Sequence, residues 1–225
     1  MTQILLWLIH MVELYNKVHL NFGQKILIIL VALKKSLTTE QICAHLQLKA
    51  NGQKNLKQNK INKKFVYLIS PNKISNINFY DDLALVLSSK KISFFQLRLK
   101  KETNSDKLII GKKIKKICNK YKVKFLINDD PLLAKKLNAD GCHLGQKDMD
   151  LIKARKILKN KIIGVTCHNS INLAKRAIEA GADYLAFGAF YASKTKIVKY
   201  RASLTLLKSI KKITSTPIVA IGGIK

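Results

Sequence analysis

From Phe65 onward, short β-rich runs alternate with helical patterns, and this alternation restricts the fold more than any single motif does. Strands are expected near 65–69, 93–99, 123–128, 140–144, 161–165, 183–187 and 217–221. Amphipathic helices are expected between them. The clearest covers 106–121, where Ile110, Ile114, Ile117, Cys118 and Tyr121 share a face. Another runs from a Ser170 cap to Ala180, with Gly181 placed to end it. Seven strands joined by six helix-length crossovers imply a parallel sheet, because a parallel neighbour cannot be reached by a tight hairpin. The short repeat and the polar strand ends favour a closed (β/α)8 TIM barrel over an open doubly wound sheet.

One count is short for that barrel. After "TPIVAIGG" the sequence stops at Lys225, with no residues for a seventh helix or an eighth strand. A barrel lacking a strand has two open edges, a liability for solubility. The expectation is therefore a barrel over 65–225 truncated after strand 7, or a decaying gene. A mainly helical extension over 1–50 and a polar Lys/Asn-rich linker over 51–64 are expected to precede it.

Within the extension, "ILLWLIHMV" at 4–12 and "ILIILVAL" at 26–33 are apolar but too short to span a bilayer as helices. The start of the chain lacks the basic residues and small-residue cleavage site of a secretory signal. "SLTTEQICAHLQL" at 36–48 has the pattern of a capped helix, with Thr38 as N-cap and Gln41 three residues on. It faintly resembles the first helix of a winged helix-turn-helix, but no base-reading helix follows. Cys43, Cys118, Cys142 and Cys167 show no CxxC spacing and lie in or beside apolar segments, as buried thiols in a reducing cytoplasm would.

A formal charge of +29 invites a nucleic-acid reading, yet only Arg98, Arg155, Arg176 and Arg201 among the 42 basic residues are arginine. Nucleic-acid readers lean on arginine's planar fork. The excess is spread over both parts, 10 − 2 = +8 for residues 1–64 and 32 − 11 = +21 for 65–225, which reads as compositional drift. Such a field still draws anionic substrates inward.

Four polar clusters stand at the ends of the apolar runs: "FQLRLK" at 95–100, "FLINDD" at 125–130, "GCHLGQKD" at 141–148 and "FGAFYASKTK" at 187–196. Gln96, Arg98 and Lys100 recur with period two, so one strand face presents an amide, a guanidinium and an ammonium. Inside a barrel such a row calls for an anion. The alternative is an edge strand facing water. Asp129 and Asp148 end neighbouring strands, and two carboxylates beside a phosphate site suit Mg2+, with substrate oxygens and waters completing its shell. Either could instead cap a helix, Asp129 ahead of "PLLAKKL" and Asp148 ahead of "MDLIKARKIL". His143, among apolar neighbours, reads as a hydrogen-bonded structural residue.

As an ordered set, these clusters resemble the thiamine phosphate synthase family, written QxRxK, ND, HLGQxD, GVS, GPxxPTxTK and AIGGI. They stand here as "QLRLK", "ND", "HLGQKD", "GVT", "GAFYASKTK" and "AIGGI" across residues 65–225. The resemblance implies Mg2+-dependent joining of hydroxymethylpyrimidine diphosphate to thiazole phosphate, giving thiamine phosphate and diphosphate. By position it assigns Gln96, Arg98, Lys100, Asn128, Thr166 and Lys196 to the pyrimidine diphosphate, and Asp129 and Asp148 to the metal. Ser193, Lys194, Thr195, Gly222 and Gly223 fall to the thiazole phosphate, and Arg98, Lys100 and Lys196 are the expected catalytic cations. Thr166 and Ser193 replace serine and threonine but keep the hydroxyl. Ala189 and Ala192 replace prolines, and Leu99 replaces a common glutamate on the face pointing away from the site. A thiazole tautomerase-like barrel with His168 as acid and base is one alternative, and an inactive truncated barrel another. The expected partners are phosphorylated small molecules, with nucleic acid disfavoured and homo-oligomerisation left open.

Overall fold

Runs of apolar, β-branched and aromatic residues make the strands, since such side chains pack well on a pleated surface. In the computed structural model, which describes residues 26–31, 65–76, 78–191 and 198–222, these are β1 (Ile26–Val31), β2 (Phe65–Ile69), β3 (Ile92–Leu97) and β4 (Lys124–Asn128). β5 (Gly141–Leu144), β6 (Ile162–His168), β7 (Tyr184–Phe187) and β8 (Ile218–Ala220) complete the set. Between them lie α1 (Phe79–Ser88), α2 (Asn104–Lys120), α3 (Pro131–Lys136), α4 (Leu151–Leu158), α5 (Ile171–Glu179) and α6 (Leu204–Ile213). All neighbouring strands pair in parallel, in the order β1 to β8, and the ring closes from β8 back to β1.

The closure corrects the expectation of a barrel left one strand short, and it places one strand within the extension expected to be mainly helical. Ile26–Val31 lies between the two edges that would otherwise be open. It pairs with β8 through Leu27↔Val219 and with β2 through Ile29↔Tyr67. The physical reason is length: six consecutive apolar residues match a strand buried on both faces and are too few for a stable helix. The segments expected as helix at 4–12 and 36–48, and the linker at 51–64, lie outside the described residues.

Alternation along each strand divides the core in two. Tyr67, Ile69, Leu126, Tyr184, Ala186 and Val219 form a buried cluster inside the ring. Phe95, Leu97, Leu99, Phe125, Ile127, Leu144 and Ile163 belong to a second cluster that includes buried residues of all six helices, such as Ile114 and Ala174. Leu99 therefore points away from the ring's interior, as expected. Each fully buried Phe or Leu contributes roughly 1.5–3 kcal/mol. Cys118, Cys142 and Cys167 are free and buried, and burial pushes all three thiols up.

Helix starts fix the loops that follow the strands. Thr103 caps α2 by accepting from Asp106 N at 3.1 Å, Ser170 caps α5 by accepting from Leu173 N at 3.2 Å, and Ser203 caps α6 by accepting from Leu206 N at 3.1 Å. At the strand starts two aspartates are structural. Asp140 accepts from Phe125 N at 3.0 Å, and Asp183 accepts from Ile163 N at 2.7 Å and from Arg155 Nη2 at 2.6 Å. Among the described residues no helix is long and apolar enough to cross a membrane.

Candidate active site

The C-terminal ends of β3, β4 and β5 bring the expected polar side chains together. Gln96 lies in β3 with only 2% of its surface exposed. Just beyond the strand, Arg98 donates from its backbone N to Ser70 Oγ at 2.8 Å and from Nη1 to Asn72 Oδ1. Lys100 donates its backbone N to Asn72 O at 3.1 Å, and its Nζ forms an ion pair with Asp129 Oδ2. The loop after β2 thus orients both cations.

Asn128 is the last residue of β4 and pairs in register with His143 of β5. Asp129 follows with φ +67°, a left-handed conformation that aspartate tolerates better than most residues, and its N donates to His143 O at 2.8 Å. Asp148 Oδ2 accepts from Gly145 N at 2.6 Å. A Cβ on Gly145 would lie 2.9 Å from that same oxygen, so a side chain there would have to push the Asp148 carboxylate aside. The Asp129 and Asp148 carboxyls are hydrogen-bonded to each other. Neither caps a helix. Asp130 caps α3, accepting from Leu133 N at 2.9 Å, and Asp150 caps α4, accepting from Ile152 N at 3.0 Å.

Electrostatics divide the carboxyl pair. Burial alone pushes Asp129 upward, but the Lys100 ammonium and the Asp148 hydrogen bond outweigh it and hold Asp129 below the usual carboxylate range. Asp148 is raised, first by burial and then by its hydrogen bond to Asp129. Opposite shifts on two neighbouring carboxyls are the mark of like charges held in contact. Among the described residues no group of three or more His, Cys, Asp or Glu side chains is assembled for a metal; this pair is what the site presents.

A second set of polar groups lies inside the ring. Gln96 Nε2 is 2.7 Å from Tyr67 OH, which is 2.8 Å from Tyr184 OH. Tyr184 OH is 2.8 Å from His143 Nδ1, and His143 Nε2 is 2.8 Å from Thr166 Oγ1. Strand register explains the reach. His143 and Tyr184 both pair with Gly164 of β6, so the position between them carries no side chain and the two rings stack with centroids 5.6 Å apart. His143 is thereby a hydrogen-bonded interior residue, as its apolar neighbours implied, and burial lowers its pKa to about 4.

Gly222 has φ +92°, and a Cβ there would meet Ala189 Cβ at 2.5 Å. Its carbonyl accepts from Phe190 N and Tyr191 N, both at 3.1 Å. His168, at the end of β6, stacks on Tyr200 with centroids 4.4 Å apart. Ser193, Lys194, Thr195, Lys196 and Gly223 lie outside the described residues. Sequence reasoning missed Ser70 and Asn72, which orient Arg98, and Gln146, whose Nε2 donates to Thr166 O at 2.5 Å. It also missed Tyr67 and Tyr184, although a tyrosine within a strand expected to be buried on both faces signals a hydroxyl that needs an interior partner.

A family model described as "Thiamine monophosphate synthase" matches residues 66–225. A "Thiamine-phosphate synthase" of Pelagibacter ubique (strain HTCC1062) is 92% identical over 170 residues, covering 76% of this chain and 82% of that protein. Its counterpart in Nitrosomonas eutropha is 41% identical over 160 residues, covering 71% and 75%. A solved thiamine phosphate pyrophosphorylase from Pyrococcus furiosus is similar with TM-score 0.61 at 27% identity, over 71% of this chain and 75% of that one. With nearly the whole length of the ring matched from β2 onward, this chain belongs to the thiamine monophosphate synthase family.

Proposed function

We propose that the chain condenses hydroxymethylpyrimidine diphosphate with thiazole phosphate, releasing diphosphate and forming thiamine phosphate, at the C-terminal mouth of a (β/α)8 barrel. The observation that carries the reading is the contact group of Lys100, Asp129 and Asp148, which come from the ends of three successive strands. Two carboxyls held against each other are a hard-oxygen donor pair, and Asp129 and Asp148 would hold Mg2+. Bound there, Mg2+ supplies neutralising charge for diphosphate oxygens.

The protein's own part is positioning and charge. Gln96, Asn128 and Thr166 would hold the pyrimidine diphosphate, while Ser193, Lys194, Thr195, Gly222 and Gly223 would hold the thiazole phosphate. As the carbon–oxygen bond to diphosphate breaks, negative charge grows on the leaving group, where Arg98, Lys100 and Lys196 stabilise it more than in the ground state. The thiazole nitrogen's lone pair forms the new carbon–nitrogen bond, so no protein nucleophile is required. The tautomerase reading would give the chemistry to His168, and the relatives' names support the synthase instead. Residues 65–225 form the proposed catalytic unit together with β1, and 51–64 the proposed linker. Among the described residues Cys118, Cys142 and Cys167 are buried free thiols, which suits a reducing cytoplasm.

Calorimetry with the pyrimidine diphosphate, with and without Mg2+, on the chain and on Asp129→Ala, tests the assignment. Metal-dependent binding that disappears in the variant is the expected result. Absence of binding to folded wild-type protein would overturn it.

A further inference from the structure

We propose that Tyr67, Tyr184 and His143 form a one-way hydrogen-bond chain that fixes the direction of the Thr166 hydroxyl, making them positioning residues for the pyrimidine diphosphate. The proposal rests on the synthase reading above, because it concerns how that substrate is met at Gln96 and Thr166.

The direction follows from counting hydrogens. The Gln96 amide nitrogen can only donate, and it faces Tyr67 OH at 2.7 Å. A tyrosine hydroxyl carries one hydrogen. Having accepted from Gln96, Tyr67 turns its own hydrogen to Tyr184 OH at 2.8 Å, and Tyr184 turns its hydrogen to His143 Nδ1 at 2.8 Å. A neutral imidazole that accepts at Nδ1 bears its hydrogen on Nε2, which therefore donates to Thr166 Oγ1 at 2.8 Å. The Thr166 hydrogen is then left over and can be donated into the mouth of the ring. Gln96 keeps its carbonyl oxygen for an incoming N–H. In the reverse direction Gln96 would face Tyr67 with its oxygen, and Thr166 would spend its only hydrogen on His143.

Burial makes the direction hard to lose. Tyr67 is fully buried, Gln96, Tyr184 and His143 are 2%, 5% and 7% exposed, and all four sit where water cannot replace a broken partner. Reversal requires every hydrogen in the series to move together, since a single mismatch strands two buried polar groups. Ile69, Leu126 and Val219 pack in the same interior cluster as Tyr67 and Tyr184. A polar series that begins on one proposed substrate residue and ends on another therefore does something that packing alone would not need.

The test is 15N NMR of histidine-labelled wild-type protein, with His143 assigned by its loss in His143→Asn, alongside steady-state kinetics of Tyr184→Phe and Tyr67→Phe. The expected result is a single neutral tautomer with hydrogen on Nε2 in the wild type, and a mixture in Tyr184→Phe. KM for the pyrimidine diphosphate should rise about 10-fold in Tyr184→Phe while KM for thiazole phosphate is unchanged, a loss of one hydrogen bond's worth of affinity. Tyr67→Phe, which breaks the series nearer its start, should raise the same KM and leave the other unchanged. A wild-type hydrogen on Nδ1 overturns the proposal without any variant, and so does a Tyr184→Phe or Tyr67→Phe protein that loses stability with both KM values intact. Failure of wild type to catalyse the condensation would sink the synthase reading instead, leaving the tautomer result to stand separately.

Discussion

Tyr184 lies flat over Gly164: a Cβ built on that glycine would fall 1.8 Å from the tyrosine Cζ. Glycine is needed there for space, since the ring occupies the volume a side chain would fill and uses it to reach His143. Gly164→Ala must displace a buried ring from a packed interior, and overpacking of this kind costs typically about 1–3 kcal/mol. Guanidinium denaturation should show that loss. Tyr184→Phe in the same background should recover little of it, because the clash is with ring carbons and not only with the hydroxyl.

Neighbouring carboxyls should separate cleanly by assay. Asp130→Ala removes the cap that accepts from Leu133 N and should cost about 1 kcal/mol in thermal or chemical denaturation with kcat little changed. Asp129→Asn should leave stability nearly intact and lower kcat by about 100-fold. A fall in kcat for both variants of similar size would contradict the division.

His143 gives the stability a pH dependence of defined sign. Its folded pKa of about 4 lies below the ordinary value near 6.5, owing first to burial. The unfolded chain therefore takes up the proton first. The contribution is complete above pH 6.5 and is lost progressively as pH falls towards 4, amounting to about 3 kcal/mol. Denaturation of metal-free protein between pH 7.5 and 4 should show this slope, and His143→Asn should flatten it.

Arg155 is expected to matter for stability without touching the site. Its Nη1 donates to Lys159 O at 2.8 Å and Lys161 O at 2.6 Å, and its Nη2 to Gly181 O at 2.8 Å and Asp183 Oδ2 at 2.6 Å. The ion pair is partly exposed and contributes little, so most of the effect lies in three carbonyls that only a fork can satisfy at once. Arg155→Lys should cost about 1–3 kcal/mol with KM values unchanged.

How far the sequence could be read depended on whether a signal was local. The strands from β2 to β8 were legible because each is an apolar run bounded by polar or turn residues, and the Ser170 cap was legible because a cap is recognised within four residues. Asp129 and Asp148 could be read as members of one candidate site only once a barrel was assumed. Their alternative as caps failed because Asp130 and Asp150, one and two positions later, have the geometry for the helix starts. β1 was misread, since its partners β2 and β8 are defined by pairing at a distance and nothing within Ile26–Val31 announces them. The interior series from Gln96 to Thr166 was invisible for the same reason: its members come from β2, β3, β5, β6 and β7, and only ring closure makes them adjacent.

The aspartates after β4 and β5 come in twos, one held at the mouth by Lys100 or by the Gly145 amide and one engaged with the following helix. Changes that strengthen or weaken α3 and α4 can therefore accumulate at Asp130 and Asp150 without altering the chemistry next door, and changes at Asp129 or Asp148 can alter reactivity without unfastening a helix. Robustness and activity are inherited through different residues that are almost touching along the chain. Such a layout lets a barrel lose one property while keeping the other.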